Sequence, residues 1–177
     1  MSARVGEWGS GGVITVSLNH DFLLLDRDAD GEWELLRFVN DPRSIQLHDH
    51  FVRYIQDTLA WIPTTNPARG EHYCGLCMWG PTLIEVAGAE IAERVFTGWA
   101  ELLSAGPPQL ELTGAFSWTA TDDEAPTEGA RVTLLEGGYD RLTFDRDKVV
   151  GLLRQLAAWC GKIRTSNGRL YLYHTGV

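Results

Sequence analysis

The spacing of apolar positions changes period several times along the chain, and each change marks an element. Residues 13–18, 22–26 and 32–39 read as three strands, with Asn19-His20-Asp21 and Ala29-Asp30-Gly31 supplying the turns. Beyond Pro42 the positions of Phe51, Ile55 and Leu59 predict a helix over residues 44–61 that ends before Pro63. Residues 64–70 read as a loop and 73–78 as a short strand that Trp79-Gly80-Pro81 stops. A helix over 89–104 carries the stripe Ile91, Val95, Trp99, Leu102 and Leu103, which is expected to face the core.

Further on, Leu110, Leu112, Phe116 and Trp118 alternate with polar residues as a half-buried strand does, and Gly114 within it points to a bulge. Residues 131–136 and 139–144 form a predicted hairpin about Gly137-Gly138. Asp145 then caps a helix whose inner face is Val149, Leu152, Leu153, Leu156 and Cys160, and residues 169–174 close with a strand. Strands in runs, without βαβ alternation, give an α+β class: a largely antiparallel sheet of about six to eight strands with three helices packed on it. The expected organisation is a single globular domain over 1–177, with 1–11 as a flexible start.

Charge adds a second pattern. The net charge is −9, and it is uneven: −4 over residues 1–70, −9 over 71–130 and +4 over 131–177. An acidic surface repels phosphate and attracts basic partners, so the expectation is a basic protein partner and no nucleic acid. No apolar h-region precedes the first strand and no apolar run spans a bilayer, so no membrane association is expected. Three cysteines do not make a disulfide framework, which points to a cytoplasmic home.

Motifs that carry chemistry are sparse. Asp26-Arg-Asp28-Ala-Asp30-Gly31 opens like a calcium loop, but Arg37 stands where the closing bidentate Glu belongs, so a turn is the expected role. Cys74-Gly-Leu-Cys77 with His72 forms a weak metal candidate; a closed zinc site needs two further ligands, for which Cys160 or His174 would have to approach. His48 and His50 are two apart, a spacing that on a helix sends them to different faces. His174 shares a strand face with Leu170 and Leu172 and reads as a hydrogen-bonded residue of the half-core. No nucleophile elbow or phosphate loop occurs, and the pattern calls for no cofactor.

These readings favour a non-catalytic acidic binding protein, with Asp122, Asp123, Glu124 and Glu128 of an exposed acidic loop and Trp33 as the candidate contact residues. Bacterial toxin-neutralising proteins of the immunity type share this size, charge and fold class, an analogy of composition alone. The alternatives are a small enzyme or ligand-binding domain whose pocket no motif marks, or a metal-binding protein using Cys74 and Cys77. Five tryptophans, Trp61, Trp79, Trp99, Trp118 and Trp159, occupy positions expected to face the core or to end an element.

Overall fold

The computed structural model describes residues 19–30, 41–119 and 136–176. Within them, eight strands and four helices form an α+β fold. The strands are β1 (Asn19–Asp26), β2 (Ile45–His48), β3 (Pro63–Asn66), β4 (Glu71–Cys74), β5 (Pro81–Ile84), β6 (Gln109–Thr119), β7 (Glu136–Asp145) and β8 (Leu170–Thr175). The helices are α1 (Asp49–Tyr54), α2 (Gln56–Leu59), α3 (Val86–Ser104) and α4 (Arg146–Arg164). Six strands make an antiparallel sheet in the order β2-β1-β8-β5-β3-β4, and β6 and β7 make a separate two-stranded one.

The central strands are buried on both faces. Phe22 and Leu172 join the core beneath α3 and α4, while Leu23, Leu25, Leu83, Tyr171 and Tyr173 form a second buried cluster. The alternation of β1 and β8 assigns each residue to one face or the other.

Several expectations are corrected. Asn19-His20-Asp21 belongs to β1 and is not a turn, because cross-strand partners satisfy its polar groups: Asp21 Oδ1 accepts from Ser44 Oγ and Gln46 Nε2 at 2.9 Å each. Residues 44–61 are not one helix. Ile45 and Leu47 are buried with Gln46 exposed between them, a strand pattern that pairs with β1; helix begins only at Asp49 and is interrupted at Ile55. The predicted loop 64–70 contributes β3, and the predicted strand at 73–78 is the earlier β4. Pro81 opens β5, since a first strand residue can lack an amide hydrogen. Gly137 and Gly138 lie inside β7 opposite Trp118 and Ser117 and do not make the expected turn, and β7 pairs with β6; residues 131–135 lie outside the described residues. The predicted strands at 13–18 and 32–39 also lie outside them.

Other expectations hold. The register of β6 and β7 shifts between Thr113 and Phe116, around Gly114. A Cβ at Gly114 would stand 3.0 Å from Asp140 Cβ and 3.1 Å from the Leu142 side chain, a tight fit against the facing strand. Asp145 caps α4 by accepting from the Lys148 amide, and Val149, Leu153, Leu156 and Cys160 are buried with Leu152 beside them. Residues 27–30 form a turn in which Asp26 Oδ1 accepts from the Asp28 amide and Asp30 Oδ2 from the Asp26 amide. These aspartates also take cations: Arg43 pairs with Asp30 and Arg169 with Asp26.

Helix α3 departs most from expectation. Its buried face is Gly88, Ala89, Ala92, Val95, Phe96, Ala100 and Leu103, mostly small residues that bring the backbone close to its neighbours. A Cβ at Gly88 would stand 2.0 Å from the Pro63 carbonyl oxygen. Of the expected stripe, Val95 and Leu103 are buried and Trp99 is half-buried, whereas Ile91 and Leu102 face outward. No helix among the described residues is long and apolar enough to cross a membrane.

Candidate functional site

The outward stripe of α3 is half of a groove. α2 supplies Thr58 and, just past its end, Trp61; α3 supplies Ile91, Arg94, Val95, Gly98, Trp99 and Leu102, enclosing about 420 Å³. A second hollow of about 750 Å³ shares Trp99 and Leu102 and extends between Tyr54, Pro107, Pro108 and Leu112. Trp61 and Leu102 are each 63% exposed, a large apolar area left in water. Trp99 forms the floor and is fixed there: its Nε1–H donates to Thr58 Oγ1 at 2.8 Å, and Tyr54 packs edge-on against it with ring centres 5.8 Å apart. Thr58 can accept because its own hydroxyl donates to the Ile55 carbonyl.

Arg94 lines the smaller hollow and Glu111 the larger, and the elements that carry them hold more exposed acids than bases. Asp57, Glu90, Glu101 and Glu111 are exposed on α2, α3 and β6. Arg94 pairs with Glu90, and Arg154 reaches Glu101 only at 3.5 Å. Trp61 and Trp79 stand near the ends of elements and are exposed there, Trp79 by 72%. The signal for the groove was present in the sequence: α3 is apolar around more than half its circumference, and a helix can bury only one side.

A second cluster runs from the exposed Arg53 to two buried histidines. Arg53 Nε donates to Asp49 Oδ2 at 2.7 Å, His20 Nε2 meets Asp49 Oδ1 at 3.0 Å, and His20 Nδ1 meets His174 Nε2 at 2.8 Å. A carboxylate only accepts, so His20 carries its hydrogen on Nε2 and accepts at Nδ1 from His174 Nε2–H. His174 Nδ1 is then a bare lone pair, with no hydrogen-bond partner among the described residues. Burial lowers the His20 pKa against the opposing pull of Asp49, and lowers that of His174 further. Burial also pushes Asp49 upward, but the bonds from His20 and Arg53 outweigh it and hold the carboxyl below its ordinary value. Both imidazoles have no solvent exposure, so the array cannot touch a substrate while the core is closed.

The candidates from sequence fall elsewhere. Asp122, Asp123, Glu124, Glu128 and Trp33 lie outside the described residues. His72 and Cys74 are exposed on the edge strand β4, with His72 near Thr65 Oγ1 at 3.4 Å, and Cys77 is half-buried beyond it. Cys160 on α4 and His174 on β8 are buried and do not join them, and no group of three or more metal-ligating side chains occurs among the described residues. His48 and His50 do not diverge as on a helix: His48 ends β2 and its Nδ1 accepts from the His50 amide, which sets the rings 5.0 Å apart.

The chain matches no protein-family model, no curated protein and no solved structure.

Proposed function

We propose that this chain is a binding protein that receives a basic protein partner in the groove of α2, α3 and β6. The observation that carries the reading is the pairing of exposed Trp61 and Leu102 with a fixed Trp99 floor inside an acidic surround. Aromatic anchors in a preformed hollow are where interface energy concentrates, and unlike charge at the rim speeds encounter and rejects acidic competitors. The α3 and β6 walls of the groove belong to the 71–130 block, which holds ten acids against Arg94 alone. A cytoplasmic toxin-neutralising role is the specific form of this reading in which the partner is a basic toxin.

The test uses a labelled amphipathic helical peptide of lysine and leucine, its glutamate and leucine counterpart, and the Trp61→Ser/Leu102→Ser variant. The basic peptide should bind, weaken with added salt, and lose most of its affinity for the variant. Equal binding of the acidic peptide, or binding indifferent to the variant, would sink the proposal.

A further inference from the structure

The basic residues of this acidic chain are mostly consumed in ion pairs. Among the described residues Arg27, Arg43, Arg53, Arg94, Arg146, Arg154, Arg164 and Arg169 each have a carboxylate partner. Arg141 on β7 and Lys148 in the first turn of α4 have none within 4.0 Å among the described residues. Yet both line one cavity of about 560 Å³, together with His48, His50, Phe144 and Leu152.

The polar groups there are suited to donating. His48 accepts the His50 amide at Nδ1, so its hydrogen sits on Nε2. Burial and the neighbouring His50 lower the His48 pKa, which keeps it a neutral donor. The acid at this mouth is Asp145, whose Oδ1 is engaged as the α4 cap by the Lys148 amide. One wall is apolar: Phe144 packs edge-on against Phe51 at 5.6 Å and against His48 at 6.2 Å. Cations with no carboxylate within 4.0 Å among the described residues, beside an aromatic wall, are complementary to a ligand with one charged end and one apolar end.

We infer that this cavity binds a small amphipathic anion, a phosphate or carboxylate group on an aromatic body. Arg141 and Lys148 take the charge, His48 donates to it, and Phe144 and Leu152 receive the ring. The site lies on β2, β7 and α4, apart from the α3 groove, and stands or falls independently of it.

The full chain is titrated with phenyl phosphate and with benzoate at constant ionic strength, following backbone amide shifts by NMR. Saturable shifts at residues 46–51 and 141–149 are expected for one or both anions, which also assigns the head group. Arg141→Gln combined with Lys148→Gln should weaken binding at least tenfold with an unchanged melting temperature, and Arg141→Lys should retain most of it. Absence of saturation at millimolar ligand, equal shifts from sodium chloride or benzylamine, or undiminished binding by the double variant would overturn the inference.

Discussion

His20 and His174, 154 positions apart in the chain, share a 2.8 Å hydrogen bond with their rings only 12° from coplanar. β1 and β8 bring them together: His174 pairs across the strands with Phe22, two residues from His20 and on the same face. Their consequence is a pH dependence with a definite sign. Both imidazoles have pKa values lowered in the fold, so the unfolded chain binds more protons once the pH drops below the ordinary value of 6.5. Stability should be complete above about pH 7.5 and fall as pH decreases through 6.5, by up to about 1.4 kcal/mol per pH unit for each histidine. Denaturant melts from pH 8 to 5.5 measure this, and His174→Gln should flatten the slope. A level profile over that range would show that the pair is not held neutral.

Gly88 and Gly98 occupy the same helix in opposite surroundings. A Cβ at Gly88 would lie 2.0 Å from a backbone oxygen, whereas one at Gly98 meets nothing within 4 Å. Gly88→Ala should therefore cost about 1–3 kcal/mol or more by overpacking. Gly98→Ala should add up to about 1 kcal/mol through helix propensity. Thermal melts of the two variants moving in the same direction would mean that α3 is rotated from the orientation described.

The inversion of the α3 stripe makes a matching prediction for side-chain deletion. Phe96 is fully buried, so Phe96→Ala should cost about 3–5 kcal/mol by leaving a cavity. Leu102→Ala, at an exposed position, should stay within about 0.5 kcal/mol in urea melts. Should the two costs prove equal, the outer face would be covered by something in the folded chain.

At the groove, stability and binding should separate. Trp61→Ser and Leu102→Ser should leave the melting temperature nearly unchanged while weakening a groove-bound partner by about 2 kcal/mol or more, roughly thirtyfold. Fluorescence anisotropy with the basic peptide reads this directly; an affinity unchanged within twofold would remove Trp61 and Leu102 from the interface.

The three thiols should react in a fixed order. Cys74 is exposed and Cys77 half-buried, but Cys160 is enclosed, and burial pushes its pKa up to about 12. At pH 7.5 fewer than about one Cys160 in 10⁴ is a thiolate, so an aromatic disulfide reagent should modify Cys74 first and Cys160 only on unfolding. Early loss of the Cys160 thiol would contradict its burial under α3.

The chain alone settles what depends on near neighbours. The α4 helix is legible from the Asp145 cap and the apolar spacing from Val149 to Cys160, because capping bonds and helical period act within a few residues. The α+β class follows in the same way, from strands that come in runs. What the tertiary structure decides is which side of an element faces inward. On α3 the expected inner stripe includes Ile91 and Leu102, but the face that packs inward is Gly88, Ala89, Ala92, Val95, Phe96, Ala100 and Leu103, with glycine required where Gly88 meets Pro63, and Ile91 and Leu102 are left outside. Asn19-His20-Asp21 looked like a turn because its polar groups seek local bonds, and only the arrival of Ser44, Gln46, Asp49 and His174 lets them sit in a strand. Neither outcome is encoded in local spacing, since the space available to a side chain and the partner of a buried polar group are both set by residues distant in the chain.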